Sequence, residues 1–334
     1  MKNGFVVLTL LLVVGCTHFD VAFQKNPVDS DSYLNRGKAW QKKGELDNAI
    51  KDYTKAIELN SSSGQAYFYR GTSWYQKDEY SKAIEDYSEA LKINAEHVDT
   101  YFKRAVAWQM KGDYERAISD YTRVLAYNPR DINSYFNRGF AWDKKGDYDS
   151  AIADYNKAIY LNPRFAEAYV NRGKAWAAKG EIDRSIADYN KALTVDPAYA
   201  IAYYSRGVSW GLKGEVEQAI ADYTKAVYVD PNHFKAYLNR GATLAENGNL
   251  QKAIEDYNKA LTIKPDCIQA YVNRGRAWYN KGEYDKAIAD FNKALEIDPS
   301  FVNAYVNRGA AWANKGKFDL AIEDYTIAKK MQTM

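Results

Sequence analysis

Tyr135-Phe136-Asn137-Arg138-Gly139-Phe140-Ala141-Trp142 opens a stretch that runs through a polar segment to Gly146. It continues with Tyr148, Ala151, Ile152, Asp154, Tyr155 and Ala158 at helical spacing, and ends at Asn162-Pro163. The same text returns every 34 residues. Its leading tyrosine recurs at Tyr33, Tyr67, Tyr101, Tyr135, Tyr169, Tyr203, Tyr237, Tyr271 and Tyr305, without insertion or deletion. A fixed period of this length in nine copies is the signature of a repeat array, which grows by stacking similar units instead of enlarging one core.

Within a copy the apolar residues fall on two helical stripes, predicting one helix over 132–145 and a second over 148–161. Gly146 ends the first, because glycine enters the left-handed conformation at a helix terminus without a Cβ clash. Asp147 opens the second with its carboxylate at the positive end of the helix dipole. Pro163 ends it, since proline has no N–H to continue the ladder. So short a connection makes the two helices antiparallel neighbours. Gly139 and Ala151 read as the small pair where they approach, with Trp142, Tyr148 and Tyr155 filling the space around that contact.

These residues and their period resemble the tetratricopeptide repeat family over residues 30–330. The resemblance implies an all-α fold: a right-handed superhelical α-solenoid of nine 34-residue helix-turn-helix repeats. It also implies a protein-interaction scaffold rather than an enzyme, with the first helix of each copy lining a concave groove.

The chain departs from the family's usual text just before the first-helix glycine. Where leucine is common, all nine copies carry arginine, from Arg36 to Arg308, and each has an aspartate sixteen residues later, from Asp52 to Asp324. In an antiparallel hairpin these positions lie at one level, predicting an ion pair inside each copy, as Arg138–Asp154 and Arg172–Asp188. One-to-one matching favours structural pairs over a basic stripe for an acidic partner. Three copies deviate at packing positions: Asp78 replaces the interhelix glycine, Ala105 the close-contact glycine and Leu244 the first-helix tryptophan. Each is expected to loosen its copy.

On the concave positions implied by the family, the fifth reads Leu34, Phe68, Phe102, Phe136, Val170, Tyr204, Leu238, Val272 and Val306. This apolar ribbon is one the hairpin core does not obviously need. With Phe140, Val106, Met110, Val208 and Leu212 beside it, the middle of the array is the expected adhesive surface. The sixth position carries Asn35, Asn137, Asn171, Asn239, Asn273 and Asn307. Asparagine donates and accepts together, which suits the backbone of an extended peptide. A similar ladder occurs in a family member that glycosylates nuclear and cytosolic serines. The lysine of the clamp that some members use for peptide carboxyl termini is replaced here by apolar residues.

Whole-chain properties agree with an interaction module. Of 334 residues, 27% are charged with a formal net charge of +3, and the mean hydropathy is −0.57. That balance gives no electrostatic reason to expect nucleic acid. His18, His97 and His233 are dispersed, no Cys/His cluster has metal-ligand spacing and no glycine-rich phosphate loop is present, so no catalytic site, metal or cofactor is expected. Cys267 falls at a repeat junction and reads as a small filler.

The amino terminus is read separately. Lys2 precedes an apolar run from Phe5 to Val14, roughly 15 Å as a helix and about half a bilayer core, which suits a signal peptide better than a span. It ends Val13-Val14-Gly15-Cys16, resembling the lipobox of bacterial lipoproteins. That resemblance implies removal of residues 1–15, lipid attachment at Cys16, a tether over 16–29 and a place in the cell envelope. Thr17 after the cysteine favours the outer membrane, facing the periplasm, in a two-membrane cell. Only a tail, 331–334, follows the ninth copy, so the last helix, with Ile322 and Tyr325, is expected to be covered by another protein or a second copy of the chain.

Overall fold

The computed structural model describes residues 27–332. The leader, Cys16, His18 and most of the tether lie outside the described residues. Eighteen helices and no strands form among the described residues, and the chain divides into two compact units, one ending at Pro163 and the other beginning at Arg164.

The first unit contains α1 (Ser30–Lys42), α2 (Leu46–Leu59), α3 (Gly64–Gln76), α4 (Tyr80–Ile93), α5 (Val98–Met110), α6 (Tyr114–Tyr127), α7 (Ile132–Lys145) and α8 (Tyr148–Leu161). The second contains α9 (Ala166–Ala178), α10 (Ile182–Val195), α11 (Ala200–Lys213), α12 (Val216–Val229), α13 (Phe234–Glu246), α14 (Leu250–Ile263), α15 (Ile268–Asn280), α16 (Tyr284–Ile297), α17 (Val302–Asn314) and α18 (Phe318–Gln332). Each copy is thus one hairpin of an odd helix and the following even helix.

Local chemistry sets the boundaries. The Asp131 carboxylate accepts from Ser134 N at 2.6 Å and caps α7. Gly146 ends α7 at φ +81°, and Asp147 caps α8 by accepting from Ser150 N at 3.0 Å. The predicted spans 132–145 and 148–161 coincide with the observed helices. Asp78 adopts φ +60° at the position glycine fills elsewhere, the sole non-glycine with positive φ among the described residues.

Each hairpin core is built on an aromatic ring from the even helix. Tyr53, Tyr87, Tyr121, Tyr155, Tyr189, Tyr257 and Phe291 are essentially sealed from solvent. The first-helix glycine makes room for this ring. A Cβ on Gly139 would meet Tyr155 Cε1 at 2.9 Å and the Ala151 carbonyl oxygen at 3.2 Å. The expected Gly139/Ala151 approach is real, but the tighter constraint is the tyrosine. Nor does Ala105 loosen its copy in the expected way, for both Ala105 and Tyr121 are 0% exposed. Leu244 is buried as well.

Inside each unit, every odd helix touches the next odd helix, whereas successive even helices make no such contact among the described residues. The odd helices therefore line the inner side of each unit. Cys267 stands just before α15, makes no side-chain capping bond, and packs with Ala260, Leu261 and Ala270, as a small filler would.

Candidate functional site

All nine Arg–Asp pairs form. In the fourth copy Arg138 Nε donates to Asp154 Oδ2 and Nη2 to Oδ1, both at 2.8 Å. Arg172 holds Asp188 by the same fork at 2.8 and 2.6 Å. Fork-to-fork geometry gives two parallel charge-assisted bonds. Asp154 is 5% exposed, so the pair is largely out of water, and its bonds to Asp154 raise the Arg138 pKa further. These arginines are committed to structure and present no free basic stripe.

The same arginines have a second role that the sequence reading missed. The remaining guanidinium nitrogen reaches the even helix of the preceding copy: Arg70 Nη1 donates to Thr54 Oγ1 at 3.1 Å, Arg104 to Ser88 at 3.0 Å and Arg138 to Thr122 at 2.9 Å in the first unit. In the second, Arg206 binds Asn190, Arg240 binds Thr224 at 3.0 Å, Arg274 binds Asn258 at 2.6 Å and Arg308 binds Asn292 at 2.6 Å. The signal was present: the residue two after each paired aspartate is always Thr, Ser or Asn. Each of these seven arginines thus fastens its own hairpin and ties it to its predecessor within the unit.

The apolar ribbon divides into two groups, and here the sequence expectation needs correction. Leu34, Val170 and Val272 are buried in hairpin cores. Phe68, Phe102 and Phe136 lean on the core tyrosines of their own hairpins, with ring centroids 6.0, 5.7 and 5.9 Å from those of Tyr87, Tyr121 and Tyr155. The hairpin core does use this position, because the ring beneath the glycine needs a lid on its inner side. All three phenylalanines are nevertheless only half-buried, as is Phe140, and Met110 is 52% exposed. Phe68 also lines a cavity of about 360 Å³ between α3 and α5, together with Tyr69, His97 and Asp99.

The asparagines divide too. Asn239 donates to the Tyr204 hydroxyl at 3.3 Å, Asn273 accepts from Gln269 at 2.8 Å and Asn307 donates to the Asn303 carbonyl at 2.7 Å. Asn35, Asn137 and Asn171 have no hydrogen-bond partner among the described residues and keep their full capacity for a ligand.

A second cavity, of about 350 Å³, lies between α13 and α15 and has a mixed lining of alanines and polar side chains, among them Glu246 and Arg276. Among the described residues no group of three or more His, Cys, Asp or Glu is arranged to hold a metal ion, and no helix is long and apolar enough to cross a membrane.

Comparison with known proteins accords with this geometry. The tetratricopeptide repeat model matches residues 30–63, 64–97, 234–267 and 268–301. A second model, described as TPR repeat, matches 144–180, 175–210 and 212–248, and a further tetratricopeptide model matches 98–131. No curated protein matches the chain significantly. Among solved structures, a tetratricopeptide repeat protein from Parabacteroides merdae ATCC 43184 is 18% identical, with a TM-score of 0.54 over 88% of this chain and 98% of that one. MamA is 33% identical over 48% of this chain and 94% of its own, with a TM-score of 0.46. YrrB, described as "a TPR protein with an unusual peptide-binding site", is 26% identical over 54% of this chain and 92% of its own, with a TM-score of 0.48. The likeness to the Parabacteroides protein concerns the fold alone. With repeat models matching well over half of its length, the chain belongs to the tetratricopeptide repeat family.

Proposed function

We propose that this protein is a non-catalytic, lipid-anchored scaffold of the bacterial envelope that holds an extended peptide or protein segment along the inner face of its odd helices. The observation that carries the reading is the composition of that face in the first unit. Asn137, with no protein partner among the described residues, stands between half-exposed Phe136 and Phe140, and Met110 projects from the neighbouring α5. Apolar anchors give a partner's side chains somewhere to leave water, and a spare amide reads its backbone. The anchor part of the proposal rests on the Phe5–Cys16 sequence and the short tether alone.

Phe102 and Phe136 also cover core tyrosines, so replacing them would mix loss of binding with loss of stability. The separating variant is Met110→Ser with Asn137→Ala and Phe140→Ser. Affinity capture from the native envelope, identified by mass spectrometry, should recover partners with the unaltered chain and lose them with this variant at an unchanged melting temperature. Recovery of the same partners by both proteins contradicts the groove reading. For the anchor, Cys16→Ala should abolish incorporation of labelled palmitate and release the chain from membranes; undiminished labelling contradicts it.

A second reading is favoured by α18. Ile322 is 62% exposed and Tyr325 42%, whereas their counterparts one period earlier, Ile288 and Phe291, are 6% and 0% exposed beneath α17. In this reading the face receives a second copy or another envelope subunit, and the chain serves as an assembly subunit of envelope machinery. Changing Ile322 and Tyr325 to Ser would then lower the oligomeric mass measured by light scattering, while an unchanged mass removes this reading.

A further inference from the structure

At the cavity between α13 and α15, the core tyrosine beneath it lacks the hydroxyl partner that the first three copies provide. Tyr53 donates its hydroxyl to Gln41 at 2.9 Å, Tyr121 to Gln109 at 3.3 Å and Tyr87 to Thr72 at 3.2 Å, each acceptor lying on the odd helix of the same copy. In the seventh copy the two positions that supply these acceptors are Ala242 and Ala245, and both line the cavity. The Tyr257 hydroxyl has no hydrogen-bond partner among the described residues, although the residue is 1% exposed. Ser134 Oγ is the only side-chain polar atom both sealed from solvent and unpartnered among the described residues. The Tyr257 hydroxyl therefore retains a path to solvent, and the cavity that Tyr257 lines supplies it.

The rim gives this opening a chemical preference. Arg276 of α15 and Glu246 of α13 both line it, and neither forms an ion pair among the described residues, with each other or with any other side chain. Both act electrostatically on Tyr257. Burial pushes the phenol pKa up, so the hydroxyl stays protonated and available as a donor. Gln269, Asn273, Ala277 and Asn280 complete the wall. Arginine at this repeat position occurs in the eighth copy alone; the other copies carry Lys38, Thr72, Val106, Phe140, Lys174, Val208, Ala242 and Ala310. An unpaired guanidinium beside a free phenolic donor suits a carboxylate, which accepts from both. The unpaired Glu246 on the facing helix suits a basic group next to that carboxylate.

We propose that the cavity between α13 and α15 is a subsite for one carboxylate of an extended peptide, bound by Arg276 and the Tyr257 hydroxyl, with Glu246 receiving an adjacent basic group. The proposal rests on the inner face being peptide-binding and adds a chemical selection at one place on it. The volume suits a side chain or a small ligand, so the carboxylate could belong to a peptide or to a free amino acid, and the test separates the two.

The experiment is an NMR titration of the full chain with three probes: acetyl-Ala-Ala-Glu-Lys-Ala-Ala-amide, the same peptide with Gln for Glu, and free glutamate. The Glu peptide should shift α13 and α15 amide signals with an affinity about tenfold above that of the Gln peptide, the weight of one charge-assisted hydrogen bond. Arg276→Gln should abolish this preference. Tyr257→Phe should weaken it several-fold without lowering the melting temperature, since Phe291 fills the equivalent place in the next copy. Equal shifts by the Glu and Gln peptides, no shift at α13 and α15, or a preference surviving Arg276→Gln would overturn the subsite. Free glutamate binding as tightly as the Glu peptide would overturn the peptide as its source. Signals of Asn137 and Phe140 are followed in the same spectra. Peptide shifts there without carboxylate preference at α13 and α15 would sink the subsite and leave the groove standing, whereas silence along every odd helix would sink both.

Discussion

At the scale of single residues, the nine arginines carry more of the structure than their surface position in the sequence suggests. Arg138 binds Asp154 through two nitrogens and Thr122 of the preceding copy through the third. Asp154→Asn leaves a guanidinium with 19% side-chain exposure facing a neutral amide. Removing one partner of a buried pair costs about 3–5 kcal/mol, and retention of one bond by the amide places the expected loss toward the lower end. Thermal melting and amide exchange in α7 and α8 check this; an unchanged melting temperature contradicts the burial argument. Ser134 gives the opposite sign. Its Oγ is sealed and unpartnered where most copies carry alanine. Ser134→Ala should stabilise by about 1–3 kcal/mol, the cost of an unmet buried polar group, as read by denaturant titration. The Arg–Asp pairing was legible because an arginine and an aspartate sixteen residues later recur together in all nine copies. The cross-copy bond was harder to see, since its acceptor alternates among Thr, Ser and Asn and reads as ordinary helix surface. The Tyr257 cavity was harder still: it depends on a hydroxyl losing an acceptor, which only the packed hairpin reveals.

At the scale of the element, helix starts and stops were almost fully written in the sequence. Asp, Gly and Pro act through backbone geometry that needs no tertiary context. The inner-face ribbon was misjudged because position within a repeat does not reveal how deep a ring beneath it sits; Val170 and Phe136 occupy the same column, yet one is buried and the other half-exposed. One cap makes a pH prediction. His233 Nδ1 accepts from Ala236 N at 3.2 Å at the start of α13, which requires that nitrogen to be unprotonated. Burial lowers the His233 pKa from its ordinary value, against a smaller opposing effect of Asp230. With the folded value below the unfolded one, the unfolded chain takes up the proton first, so this contribution is present above about pH 6.5 and is lost as pH falls through that value toward the folded pKa. Amide exchange in α13 should accelerate as pH is lowered from 7 to 5.5, after correction for intrinsic exchange chemistry, and His233→Asn should remove the excess while preserving a cap. An identical pH response in both proteins contradicts the assignment.

At the scale of the whole molecule, stability is distributed over hairpins and their junctions, as expected when each copy touches only its neighbours. Within each unit such an array leaves a row of odd helices whose side chains are only partly consumed by packing. Asn137 projects from that row in α7, whereas Tyr160 projects from an even helix and is 81% exposed. Greater exposure alone would make Tyr160 the better contact. The reverse is expected, because binding is assigned to the inner face with its apolar anchors and spare amides. The direct measurement is photo-crosslinking in the native cell, with a benzophenone amino acid placed at Asn137 in one version of the chain and at Tyr160 in another. An adduct of defined mass at position 137 and none at 160 is the predicted result; an adduct at 160 alone, or at both with equal yield, would contradict it.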